Sequence, residues 1–305
     1  MCGIIGIIGI NAGRSVLRQM SDTLMHRGPD DKGDFCIPGL AFGHRRLAII
    51  DLQGGVQPMV DLDTGLVITF NGEIYNYREV RRILELNGFR FQTDSDTEVI
   101  LKGYIFFKEK VVDHLRGMYA FAIADQIKRE VFIARDPFGI KPLYYSQTKG
   151  NFSFASEISA LMKVPSFNSD LDINAIDQYL QFQYIPAPAT AFTCIRKLPP
   201  AHYLKVGFDG ELRELTKYWS FSFKPVYGRS FSQWLEGLKE IISESVGAHL
   251  VSDVPFGAFL SGGIDSSVVV KAMAEKMNQP IKTFSIGFDR QGFDETSYAR
   301  HVSQR

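Results

Sequence analysis

Cysteine is scarce: only Cys2, Cys36 and Cys194 occur in 305 residues. Three scattered thiols exclude a disulfide framework, and no Cys-x-x-Cys pair offers a metal site, a usage that fits a reducing cytosol. Net charge is missing too, since 34 basic and 34 acidic side chains cancel. Nothing in that balance calls for nucleic acid, an acidic surface or a polybasic membrane contact, so small molecules are the expected partners. No apolar run approaches the roughly 20 residues that span a bilayer. The most apolar N-terminal stretch, Gly3 to Ile10, is short, holds three glycines and has no basic residue before it, unlike a signal peptide. A cytoplasmic protein whose folded core begins at its first residues is therefore expected. Internal repeats, low-complexity tracts, a Walker A Gly-Lys-Ser/Thr and a Gly-x-Gly-x-x-Gly fingerprint are all absent.

What is present suits two domains of about 100–200 residues each. The β-branched run Gly3–Ile10 predicts a buried strand, and Arg14–Met25 a helix with Val16, Leu17, Met20 and Leu24 on one face, ended by Gly28-Pro29. Strands are predicted at Leu40–Ile50, Leu66–Phe70, Met118–Asp125, Glu130–Ala134 and Leu143–Ser146, with only two good helices, Tyr77–Asn87 and Thr97–Phe107, among them. Many strands with few helices suggest stacked sheets with helical outer layers. Prolines crowd Tyr184–Pro200 in a way that neither helix nor central strand tolerates, which puts the domain junction there, with a linker region over 191–230. After a polar strand region to Phe223, Phe231–Leu250 predicts an amphipathic helix. A strand, glycine turn, helix, strand order follows: Val254–Leu260, Ser266–Met277, Lys282–Phe288, then a further helix from Glu295.

Cys2 follows only the initiator methionine, and small residues at that position generally permit methionine removal. The exposed cysteine would then carry its own base, because an α-amine with a pKa of about 7.7–8.0 is partly unprotonated near neutrality. Taken alone, Cys2 could equally be a small apolar residue at a strand start. Asn71-Gly72 alone reads as a tight turn, and Arg46 as an edge charge on a strand. Asp96 alone complements a helix dipole, with Ser95 and Glu98 at capping-box spacing.

Taken together, Met-Cys-Gly-Ile-Ile-Gly at the start, His26-Arg27-Gly28-Pro29-Asp30, His44 to Asp51, Asn71-Gly72-Glu73-Ile74-Tyr75-Asn76 and Ser95-Asp96-Thr97-Glu98 resemble the class II glutamine amidotransferases, the cysteine branch of the N-terminal-nucleophile hydrolases, in order and spacing over residues 1–190. The resemblance implies an α+β αββα sandwich in which Cys2 is the nucleophile and Asn71 and Gly72 stabilise the oxyanion. It implies that Arg46 holds the glutamine carboxylate, Asp96 receives its ammonium, and Ile49, Ile50 and Glu73 complete the pocket. A cation, an anion and hydrogen-bond donors are what selective binding of glutamine needs. Arg27, Asp30 and the Arg135–Tyr145 stretch match as well and are expected to support the fold.

Ser261-Gly262-Gly263-Ile264-Asp265-Ser266-Ser267 lies between a predicted strand and helix, where backbone N–H groups can close around an anion, although a plain βα loop reads the same way. The heptad resembles the pyrophosphate loop of ATP-pyrophosphatases, whose domain is α/β and Rossmann-like. That resemblance carries Leu260, Ser261, Gly262, Gly263, Asp265 and Ser266 to the phosphate side of bound ATP and Ile286 to the adenine pocket, with Mg²⁺ neutralising the phosphates and no protein residue assigned to a metal. Among class II families, such a loop points to the asparagine synthetases and their close relatives. Glutamine, aspartate and ATP are then the substrates, and a homodimer is the expected assembly, although related enzymes amidate other carboxylates. The second domain, 231–305, is expected to be truncated, because the later acidic serine-glycine motif of that family is missing.

Overall fold

The computed structural model describes residues 1–290 and 294–304, which fall into two compact units, Met1–Phe221 and Ser222–Arg305. Residues 291–293 and 305 of the expected second domain lie outside the described residues. No helix among the described residues is long and apolar enough to cross a membrane.

The first unit is built on β1 (Gly3–Gly9), flanked in an antiparallel sheet by β3 (Leu40–Arg46) and β9 (Asn151–Ala155); β2 (Asp31–Ile37) forms one edge, and β8 (Tyr144–Thr148) and β10 (Arg196–Lys197) the other. The second sheet runs β4 (Met59–Val60), β5 (Leu66–Ile74), β6 (Gly117–Asp125), β7 (Glu130–Arg135), β11 (His202–Gly207) and β12 (Leu212–Lys217), again antiparallel throughout. Strand periodicity sorts the side chains. Ile4 and Ile8 join Phe42, Val67, Ala120, Ala122, Ala124 and Phe154 in the core between the sheets. Ile5 and Ile7 point the other way, onto Leu17 and Met20 of α1 (Arg14–Asp22) and Ala160 and Leu161 of α5 (Ile158–Leu161). On the far sheet, Tyr104 of α3 (Asp96–Phe107) stacks on Phe132 at 5.2 Å, beside α2 (Tyr77–Leu86) and α4 (Val111–His114). The result is the αββα sandwich.

Several local expectations change. The strand expected to stop at Phe70 continues through Asn71-Gly72 to Ile74, with Asn71 opposite Ala120 and Gly72 opposite Tyr119, so the Asn-Gly pair is not a turn. The strand expected to reach Ile50 ends at Arg46. The α1 helix stops at Asp22, not Met25. β2 and β9 were not anticipated, nor was α6 (Ile173–Phe182). β2 is a polar edge strand with no alternating apolar signal, and α6 buries only Ala175 of its residues, so its local signal is the Asp172 cap, whose Oδ1 accepts from Ala175 N–H at 3.0 Å. The polar strand region expected within the linker, 191–230, is present, but its strands belong to the first unit: β10, β11 and β12 complete the two sheets, and the compact unit extends to Phe221. Prolines mark the chain between strands there, not its departure from the unit.

In the second unit, Ser230 and Gln233 form a reciprocal capping box on α7 (Phe231–His249). β13 (Ala258–Phe259) lies parallel to β14 (Thr283–Phe284), joined through α8 (Ile264–Lys276), and α9 (Thr296–Ser303) follows. The strand–turn–helix–strand order is as expected, with both strands shorter than predicted.

Candidate active site

Cys2 immediately precedes the central strand, and its residue is anchored on both sides. Ile4 N–H donates to Ser156 Oγ at 3.0 Å, while Ser156 N–H donates back to the Ile4 carbonyl at 2.9 Å. Arg27 Nε donates to the Cys2 carbonyl at 2.9 Å, and Arg27 Nη1 is tied to Glu157 at 3.0 Å. The thiol lines a cavity of about 310 Å³ and does not pack into the core. Its Sγ accepts from Leu47 N–H at 3.4 Å and lies 3.5 Å from the Leu47 carbonyl. Burial pushes the thiol pKa up, opposed by the Leu47 hydrogen bond and the neighbouring terminal amine. Burial also pulls the amine at Met1 down, where Cys2 opposes and Arg27 and Lys141 reinforce the effect.

The same cavity collects Arg46, Ile49, Ile50, Asn71, Gly72, Glu73 and Asp96, every residue that the sequence assigned to bound glutamine. Their roles there are argued below. Arg46 is not an edge charge: β3 lies inside its sheet, and the side chain is 6% exposed. Its guanidinium donates to the carbonyls of Asp51 (2.6 Å), Leu52 (3.0 Å) and Ile50 (3.3 Å), so the loop that ends the strand is gathered around the cation. Asp30 reinforces this turn through Oδ2, which accepts from Ala48 N–H at 2.9 Å.

Asp96 opens α3 beneath the cap at Ser95, whose Oγ accepts from Thr97 N–H at 3.1 Å. The expected capping box does not form, because Glu98 turns to the preceding loop and accepts from Thr93 N–H and Oγ1, each at 2.7 Å. Asp96 Oδ2 accepts from Ile74 N–H at 3.0 Å, which continues the end of β5 into the helix. Burial pushes Asp96 up to about 7, and burial with the Asp96 charge pushes Glu73 up to about 8. Two acids this reluctant to ionise form a site that favours an incoming cation.

Asn71 is 1% exposed, and its Nδ2 has no hydrogen-bond partner among the described residues. A buried unpaired donor is unusual and calls for an explanation. Gly72 has a steric reason: a Cβ there would lie 2.2 Å from the Met118 carbonyl oxygen on the paired strand. The cavity also contains residues the sequence did not assign to it, chiefly Gln57 and Lys141. Gln57 joins β5 to α3, its Oε1 accepting from Phe70 N–H at 2.6 Å and its Nε2 donating to Thr97 at 3.2 Å. No motif marks Gln57, whereas Lys141 lies within the Arg135–Tyr145 stretch expected to support the fold.

In the second unit, Leu260, Ser261, Ser266 and Ile286 line a cavity of about 430 Å³. Gly263 caps α8, Asp265 sits in its first turn, and Ser261 Oγ lies 3.0 Å from Ser266 Oγ. Gly262 has φ of 80°, and a Cβ there would fall 2.5 Å from Tyr298 Cβ, so the turn needs glycine. Hydroxyls and N–H groups at a helix start, beside an apolar wall of Phe259, Phe284 and Ile286, fit a nucleotide's phosphate and base. No group of three or more His, Cys, Asp or Glu among the described residues is placed to hold a metal ion.

Comparison with known proteins agrees with this division. Residues 1–219 match the glutamine amidotransferase domain family, and residues 237–305 match the asparagine synthase family. The chain is 41% identical over 309 residues to asparagine synthetase (glutamine-hydrolyzing) 1 of Bacillus subtilis, covering 99% of this chain and 48% of that protein. It is 36% identical over 323 residues to a putative asparagine synthetase of Mycobacterium tuberculosis, covering 98% and 49%. The chain thus spans about half the length of these relatives. The glutamine phosphoribosylpyrophosphate amidotransferase of B. subtilis has a similar fold, with a TM-score of 0.55 at 20% identity, covering 96% of this chain and 68% of that one. With its family match extending over most of its length, this chain belongs to the glutamine amidotransferase domain family, and residues 237–305 are similar to the asparagine synthase family.

Proposed function

We propose that this chain carries the glutamine-hydrolysing half, and the beginning of the synthetase half, of a glutamine-dependent asparagine synthetase. The observation that carries this reading is one cavity in which a thiol at the chain start meets a buried guanidinium, a buried acid, a half-buried acid and an amide donor unpaired among the described residues. Arg46 takes the α-carboxylate of glutamine, with Asp96 and Glu73 taking its α-ammonium, while Ile49 and Ile50 wall the pocket. Once Met1 is removed, the α-amine of Cys2 accepts the thiol proton as Sγ bonds to the side-chain amide carbon. Asn71 Nδ2 and the Gly72 N–H stabilise the oxyanion. The proton then goes to the departing nitrogen, which leaves as ammonia, and water hydrolyses the glutamyl thioester to glutamate.

In the second unit, Leu260, Ser261, Gly262, Gly263, Asp265 and Ser266 would hold the phosphate side of ATP with Mg²⁺, and Ile286 the base. Bound ATP supplies the activation that makes a carboxylate reactive towards ammonia, and aspartate is the acceptor that the relatives' names support. A cytoplasmic homodimer remains part of this proposal. The direct test is glutamate release from glutamine by the purified chain, with Met1 removal checked by mass. Cys2→Ala should abolish release while leaving the circular dichroism spectrum unchanged, and full activity in that variant would refute the assignment.

A further inference from the structure

Lys141 is 5% exposed and lines the same cavity as Cys2. Among the described residues its ammonium has no carboxylate at ion-pairing distance, and its hydrogen-bonding neighbour is the Met1 thioether, with Nζ 3.5 Å from Sδ. The backbone beneath it is held from two directions. Lys141 N–H donates to Asp136 Oδ2 at 3.0 Å, and Arg135 Nε donates to the Lys141 carbonyl at 2.7 Å. Asp136, itself fully buried, also accepts from the N–H groups of Phe138 and Ile140, both at 3.0 Å, and of Tyr119 at 3.2 Å. The whole turn therefore presents one lysine to the cavity. Burying an ammonium without a bonded counter-ion is unfavourable, and a fold needing only an apolar stem there could use methionine or leucine.

The charges around it come from every neighbouring element. Glu73 of β5, Arg27 from the loop after α1, Asp136 of its own turn and Cys2 act on Lys141. Glu73 and Arg46 act on the thiol, and Asp96 acts on Glu73. We propose that Lys141 is a positioning residue for the Cys2 thiol, its ammonium, buried in the same cavity, favouring negative charge on the sulfur. A nearby cation lowers the pKa of a thiol in this way. This inference rests on the glutaminase reading, and the Arg135–Tyr145 stretch then serves the site as well as the fold.

The test is the rate of Cys2 alkylation by iodoacetamide against pH, read on the N-terminal peptide by mass spectrometry of the full chain. Lys141→Met should move the midpoint up by about one pH unit, a roughly tenfold slower reaction below it, and Lys141→Arg should restore it. Lys141→Gln carries the same test with a polar end should the methionine variant fail to fold. In glutamine hydrolysis, the acid limb of kcat/KM should move up by a similar amount, with KM unchanged. An unmoved alkylation midpoint in both neutral variants overturns the proposal, whatever the glutaminase activity. If instead the unsubstituted chain releases no glutamate while its alkylation still responds to Lys141, the glutaminase reading has failed and the electrostatic role stands.

Discussion

Asn71→Leu should make the protein more stable and less active at once. The residue sits mid-strand opposite Ala120, 1% exposed, with Nδ2 unpaired among the described residues. A buried polar group left unsatisfied costs about 1–3 kcal/mol, and asparagine is poorly suited to a strand. Leucine keeps the branched shape without the donor, although its larger volume gives back part of the gain through crowding. A net stabilisation of about 1 kcal/mol follows, which in a unit of this size raises Tm by about 2–4 °C. Activity should move the other way. Loss of one oxyanion donor lowers kcat by about 10²–10³, with little change in KM, because the donor acts on charge that develops only in the transition state. Thermal unfolding followed by circular dichroism, set beside glutamate release, checks both halves. A variant that melts earlier yet hydrolyses glutamine normally would show that the amide serves the fold, and the reasoning would be wrong.

Two further outcomes follow from the geometry. Asp96 and Glu73 hold protons up to about pH 7 and 8 in the folded chain but release them near pH 4 when unfolded. Their stabilising contribution is therefore full below about pH 4 and is lost as pH rises through the folded values. Glutamine binding should run in the opposite direction, with KM falling as the acids ionise. Asp96→Asn should weaken both trends, which Tm and KM measured from about pH 5 to 9 will show; unchanged slopes would remove Asp96 from the ammonium site. Gly262→Ala places a Cβ 2.5 Å from Tyr298 Cβ at a φ of 80°, a strain of about 1–3 kcal/mol. Limited proteolysis should then cut the second unit sooner while glutaminase activity holds, and equal resistance would mean the turn relaxes.

Much of the first unit could be read locally because its signals are local. The run Gly3–Gly9 reads as a strand since its isoleucines fill both faces, and α1 shows its buried side at Leu17 and Met20. β2 and α6 escaped because one is a polar edge and the other buries almost nothing, so neither carries the apolar periodicity from which elements are read. The Asn-Gly pair misled for a related reason. Turn propensity is a property of two residues, whereas the pairing of Asn71 and Gly72 with Ala120 and Tyr119 depends on a strand about 50 residues away.

The sequence alone singled out the candidate residues: a thiol at position 2, a cation at 46, an amide at 71, acids at 73 and 96, and a glycine-serine turn at 261–266. Those identities are written in residue types and spacing. Only the tertiary structure decided that the first five share one cavity and that Arg46 is buried among carbonyls. It alone showed that Asn71 keeps a donor unpaired among the described residues, and that Gln57 and Lys141 belong to the same place. The physical reason is that burial and charge–charge proximity arise when distant strands pair and sheets stack, and these set protonation and hydrogen-bond satisfaction in ways no linear motif records.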